Sequence, residues 1–106
     1  STLKRIYNID SLWIISESDV KKLGSANYSR EISAFKELRD KYGNLDSIKL
    51  HRGKDRYHVV EQNRKIYVFS TPLELTTSDV LMILRQIEES LQKKKIFLSS
   101  NTNITE

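Results

Sequence analysis

The stretch SIKLHRGKDRYHVVEQNRKIYVFS, residues 47–70, decides the fold of this chain. Apolar and polar residues alternate through much of it, as in strands that bury one face. The polar breaks at residues 53–55 and 62–63 contain Gly53 and Asn63, two residue types that tight turns prefer. The pattern therefore predicts a meander of three antiparallel strands, at residues 48–52, 56–60 and 65–70.

Two amphipathic helices are predicted on either side of this meander. In residues 28–42 the apolar side chains recur at spacings of three and four, and Gly43 follows as a helix stop. Residues 77–94 carry a second apolar stripe, with a threonine at position 76 or 77 as the N-cap.

The N-terminal part contains two short apolar runs. Residues 12–15 are β-branched and aromatic, as in a buried strand, whereas residues 6–9 fit either a paired strand or a terminal helical turn. Residues 17–27 are polar, and we expect a loop or turn there. Together these elements predict one α+β domain over residues 1–98, in the order β(β)-α-β-β-β-α with a sheet of about five strands, and a flexible tail at 99–106.

The last strand of the meander is apolar on both faces, which is typical of a strand covered on two sides. Two helices, however, are expected to cover one face of the sheet only. An apolar sheet face left open is an association site. We therefore predict that three aromatic side chains lie on such a face: Trp13, Tyr67 and Phe69. The alternative is that segments 12–15 and 96–98 of the chain cover it.

Composition excludes several classes of protein. The 106 residues include no cysteine, which rules out disulfides, thiolate metal sites and a thiol nucleophile. No run approaches the roughly 20 apolar residues needed to span a bilayer, and no basic-then-apolar leader is visible. We expect a single domain located in the cytoplasm.

The excess positive charge lies in one segment. The chain has a net charge of +4, and residues 48–65 alone contain six cationic and two acidic side chains. The six are Lys49, Arg52, Lys54, Arg56, Arg64 and Lys65. Such a patch can attract phosphates, an anionic membrane or an acidic protein, and Tyr57 and Tyr67 nearby fit base stacking in a single-strand groove. The alternative is that these cations keep an exposed hairpin from pairing with other chains.

No catalytic constellation is visible in the sequence. The histidines, His51 and His58, are too few for a typical zinc site with three or four protein ligands. The glycines, Gly24, Gly43 and Gly53, lie too far apart for a phosphate or dinucleotide loop, and there is no G-x-S-x-G motif. We therefore expect no enzymatic activity, no metal and no cofactor.

A family resemblance is carried by residues 47–92. There a strand, a turn at residues 52–54, a second strand, another turn, the apolar strand 66–69 and the helix 78–91 follow one another. This order resembles the longin, roadblock and profilin-like group of domains, over roughly residues 3–94. Roadblock domains usually open with a helix, whereas the longin-like domain of the signal-recognition-particle receptor opens with a hairpin followed by a helix.

The resemblance implies a non-catalytic scaffold that forms homodimers and binds small GTPases or trafficking partners. Our leading prediction is therefore a self-associating protein-interaction module that engages a protein partner such as a small GTPase. The rival prediction is nucleic-acid binding through the basic hairpin at residues 49–65, in which phosphate contacts would make binding strongly dependent on salt.

Overall fold

A computed structural model describes residues 2–93, so the tail predicted at 99–106 and the covering segment 96–98 lie outside the described residues. The helices are α1 (Thr2–Tyr7), α2 (Ser29–Tyr42) and α3 (Thr77–Gln92). The strands are β1 (Leu12–Ile15), β2 (Val20–Leu23), β3 (Ser47–Arg52), β4 (Asp55–Gln62) and β5 (Lys65–Thr71). Their order along the chain is α1-β1-β2-α2-β3-β4-β5-α3.

The five strands form one antiparallel sheet in the order β2-β1-β5-β4-β3. The predicted α+β class is confirmed, as is the antiparallel meander of β3, β4 and β5. The strand that is apolar on both faces, β5, lies at the centre of the sheet between β1 and β4. The edges of the sheet are β2 and β3.

Helices cover both faces of this sheet. On one face Phe35 of α2 packs in a core cluster with Val59 and Val68. On the other face Ile83 of α3 belongs to a cluster that contains Tyr67, and residues of α1 close its end. The prediction that both long helices lie on one face and leave the other open is therefore wrong. An amphipathic stripe says which side of a helix is buried, but not against which face of a sheet it packs.

The N-terminal region is more regular than the sequence predicted. Of the two alternatives for residues 6–9, the structure shows the helical turn. α1 ends at Tyr7, Asn8 follows it with a φ of 55°, and Ile9 N–H donates to the carbonyl of Leu3 at 3.1 Å. The loop predicted at 17–27 contains β2. This strand is exposed over most of its length and forms because its backbone pairs with β1. Its sequence therefore lacks the apolar pattern from which a strand is predicted.

Turn and cap residues fix the element boundaries. The turn between β3 and β4 contains only two residues, with Gly53 at a φ of 63°, so Asp55 belongs to β4 rather than to the turn predicted at 53–55. Thr76 caps α3 in a capping box with Asp79. Gly24 is needed where the loop after β2 crosses the chain before β1, because a Cβ there would lie 2.4 Å from the Asp10 carbonyl oxygen.

The two sides of α3 make different contributions to stability. Leu84 is 2% exposed and Leu81 is 53% exposed. We expect Leu84→Ala to lower the free energy of unfolding by about 2–5 kcal/mol because it opens a cavity in the core. Leu81→Ala is the matched control, with an expected change within about 0.5 kcal/mol. Urea unfolding followed by circular dichroism measures both, and equal losses would contradict the assignment of the buried side.

Candidate interaction surface

The three aromatic residues predicted to form an open apolar surface are buried. Trp13 is 7% exposed, and Tyr67 and Phe69 are fully buried. They do not share a face either, because Trp13 pairs with Val68 whereas Tyr67 pairs with Ile14 between the same two strands. This predicted site is wrong, since α2 and the loop before it cover one face of the sheet while α1 and α3 cover the other.

Most of the predicted basic patch is paired within the chain. Four of its six members form ion pairs: Lys49 with Glu74 at 3.2 Å, Arg56 with Glu74 at 2.9 Å, Arg52 with Glu31 at 3.0 Å, and Lys65 with Glu88 at 3.3 Å. Lys49 and Arg56 together lower the pKa of the Glu74 carboxyl below its ordinary value. The cations are thus largely committed to neighbouring carboxylates.

The two remaining members of the patch lie far apart. Within residues 2–93, the structure gives no carboxylate partner to Lys54 or to Arg64. Lys54 is in the turn before β4 and Arg64 is in the turn after it, so the length of that strand separates them. The fold therefore does not gather the six cations into one continuous unpaired groove.

The Arg52–Glu31 pair connects the end of β3 to the first turn of α2. Glu31 is only 1% exposed, and neither of its carboxylate oxygens meets hydrogen-bond geometry with a partner among the described residues. The Arg52 guanidinium lies 3.0 Å from Glu31 and 4.4 Å from the centre of the Tyr57 ring. A buried carboxylate without a cation lowers the stability of the folded state, so the charge of Arg52 is needed to stabilise the fold.

A polar cavity of about 340 Å³ opens at the end of the sheet near Arg52. Its hydroxyl groups bond to the protein itself: Tyr28 Oη donates to the Ser11 carbonyl at 3.2 Å and lies 2.9 Å from Ser70 Oγ. Burial raises the pKa of Tyr28 to about 12, so this phenol stays protonated at neutral pH. Neither histidine lines the cavity, and a nucleophile–histidine pair is therefore not assembled here.

The two histidines have different surroundings. His51 is exposed on β3, whereas His58 is buried on β4, where its ring stacks on Phe69 at 5.2 Å. Burial, with a smaller contribution from Lys49, lowers the pKa of His58 to about 4. Over the described part of the chain, no group of three or more histidine and carboxylate side chains is placed to hold a metal ion.

The open edge of the sheet at β3 is the feature that the sequence did not reveal. Glu61 N–H donates to the Asp46 carbonyl at 2.7 Å, which fixes the alternation of bonded pairs between β3 and β4. By this alternation every second residue of β3 turns its N–H and C=O away from the sheet. These outward residues are Ser47, Lys49 and His51.

The opposite edge of the sheet is shorter. β2 has four residues against six in β3, and its pairing with β1 leaves only Val20 and Lys22 with outward backbone groups. Leu12–Ile15 and the other inner strands are paired on both sides. Among the described residues, β3 is therefore the longest unpaired row of backbone donors and acceptors in the sheet.

Comparison with known proteins assigns no family. No protein-family model matches this chain, and no curated protein matches it in sequence. None of the helices between residues 2 and 93 combines the length and the apolar character that crossing a lipid bilayer requires. The candidate site therefore depends on the geometry of the fold.

The lowered pKa of His58 predicts a pH dependence of stability. Between its ordinary pKa of 6.5 and about 4, the unfolded chain binds a proton at this residue that the folded chain does not. Stability therefore falls as the pH drops through this range, by about 2 kcal/mol between about pH 7.5 and pH 5. Urea unfolding at both pH values should show this loss for the protein and for His51→Gln. In His58→Gln the loss should be smaller by that amount, and an unchanged loss there would contradict the assignment.

The Arg52–Glu31 pair predicts an effect of charge removal on stability. Arg52→Met leaves Glu31 buried without its cation, so we expect a lower midpoint of urea unfolding. Lys54→Met, two residues away in the exposed turn, is the control and should leave the midpoint unchanged. Adding Glu31→Gln to Arg52→Met should recover part of the loss. Equal midpoints for Arg52→Met and Lys54→Met would show that the pair does not stabilise the fold.

Proposed function

We propose that this chain is a non-catalytic protein-interaction module of the longin/roadblock type, which recruits its partners at the open edge of β3. The observation that carries the proposal is the outward backbone row of Ser47, Lys49 and His51. An unpaired edge of this kind is a template onto which another chain adds a strand. Since helices cover both faces of the sheet, its edges are where its main chain can bind another molecule.

The order of the elements supports the longin/roadblock type. α1 precedes the sheet, in the position of the helix that usually opens a roadblock domain. The meander of β3, β4 and β5 leads into the long helix α3, which is the order on which the resemblance was based. Through this resemblance a small GTPase is the first class of partner to test.

Self-association is part of the proposal, with the β3 edge in place of the buried aromatic residues. Two copies related by a two-fold axis present the same edge to each other, so antiparallel pairing of β3 with its copy extends one sheet into the next. The contact is small, and we expect the association to be reversible and to depend on protein concentration.

The hydrogen bonds and ion pairs that the polar side chains make within the chain support a binding role over a catalytic one. In the cavity the Tyr28 hydroxyl bonds to the Ser70 hydroxyl and to the main chain, and the buried histidine lies elsewhere, on β4. The pairing of four cations with carboxylates of the same chain also leaves less charge for phosphates than the sequence implied.

A proline at position 51 tests the role of the β3 edge. His51→Pro removes one outward N–H and leaves the bonds to β4 in place, since proline is tolerated on an edge strand when its N–H faces away from the sheet. We expect sedimentation equilibrium to show a monomer–dimer equilibrium for the protein. For His51→Pro the dissociation constant should rise by about tenfold or more, because a backbone hydrogen bond is lost from each half of the contact.

Two variants act as controls for this measurement. His51→Ala keeps the N–H and removes only the side chain, and Val20→Pro removes an outward N–H from the opposite edge. Both should associate as the unaltered protein does. The proposal is overturned if the protein stays monomeric at high concentration and captures no small GTPase, or if His51→Pro changes neither interaction.

A further inference from the structure

We infer that the preferred occupant of the β3 edge is an extended segment of another protein in which acidic and apolar side chains alternate. This inference depends on the proposed function, because it names the partner of the same edge. It is carried by the charge along β3, by the alternation of its side chains between two faces, and by the poor match between two copies of this strand.

The β3 strand and the turn after it carry three cationic side chains, of which Lys49 and Arg52 have carboxylate partners on other elements. Residues 47–54 contain Lys49, Arg52 and Lys54 and no carboxylate, in a chain whose net charge is only +4. The Lys49 side chain is about half exposed, and its partner Glu74 lies beyond β5 on the surface. Exposed pairs of this kind contribute little, so an acidic residue of an incoming strand can replace Glu74 as the partner of Lys49.

The two rows of β3 side chains differ in character. Ser47, Lys49 and His51 point to the face covered by α3, whereas Ile48 and Leu50 point to the face covered by α2 and are only partly buried. Successive residues of an added strand lie over these two rows in turn. An added strand therefore matches the edge when its acidic residues lie beside the first row and its apolar residues lie beside the second. A shift of the register by one residue would exchange the faces of its acidic and apolar side chains.

A second copy matches this edge less well. In antiparallel pairing, the outward residues of one β3 lie opposite the outward residues of the other. In the register that pairs all three outward residues, Lys49 faces the copy's own Lys49, and like charges directly opposite each other destabilise a strand pair. The charge that weakens pairing between copies is the charge that attracts an acidic strand.

Synthetic peptides of about eight residues, long enough to cover β3, test this inference. The first alternates glutamate and valine, the second alternates lysine and valine, and the third groups the glutamates and valines of the first into two blocks. Fluorescence anisotropy gives the dissociation constants at low and at moderate salt, and amide hydrogen exchange measured by NMR locates the bound peptide.

We expect the alternating glutamate–valine peptide to bind about tenfold or more tightly than either of the others, because a glutamate faces Lys49 while the valines extend the row of Ile48 and Leu50. It should protect the amides of Ser47, Lys49 and His51 from exchange, and salt should weaken it. His51→Pro should lose this binding and His51→Ala should keep it. The double variant His51→Glu with Lys54→Glu leaves two cations and two carboxylates in residues 47–54, so it should bind the glutamate–valine and lysine–valine peptides with similar affinity, which tests the charge without changing the backbone.

The outcomes separate this inference from the proposed function. Equal protection of the three amides by all three peptides would overturn the charge preference while supporting the edge as a docking site. No protection by any peptide, together with no effect of His51→Pro on association, would overturn both. Protection of amides outside β3 would overturn the inference, as would a single-stranded oligonucleotide that displaces the glutamate–valine peptide from the basic residues.

Discussion

The structure depends on the burial of both faces of its central strand. β5 directs Tyr67 and Phe69 into one core and Ile66 and Val68 into the other, and all four side chains are buried. A strand of this composition is stable only when each face has its own layer of cover. The long helices therefore divide between the two faces, and neither face is left as an apolar surface for association.

Local patterns were sufficient to predict much of the fold. The meander and the two long helices follow from period and turn chemistry, and their boundaries agree with the structure within two residues at every end. The strand β2 could not be predicted in this way, because its Val-Lys-Lys-Leu sequence buries little and its stability comes from pairing with β1. The sheet face on which α2 packs could not be predicted either, since periodicity identifies the buried side of a helix but not the face of the sheet that this side contacts.

The candidate site was harder to predict than the fold. Composition identifies the cations of the hairpin, but Lys49 and Arg56 meet Glu74 only after the chain has returned through β5, at separations of 25 and 18 residues. The outward backbone row could not be predicted either. Which residues of β3 turn their N–H outward becomes a property of a sheet edge only once the strand order is known, and local patterns do not say that β3 lies at an edge.

The charge on β3 connects stability with partner choice. Arg52 compensates the charge of the buried Glu31 and so connects the end of the edge strand to α2. The ring of Tyr57 packs against the same guanidinium. An edge held in this way is ordered before it binds, so adding a strand costs less conformational entropy than ordering a loose segment. Its exposed cations make pairing with a second copy weaker than pairing with an acidic strand, in keeping with the role of basic residues on edge strands. The same repulsion gives selectivity, because an acidic strand gains from charges that a basic strand must oppose.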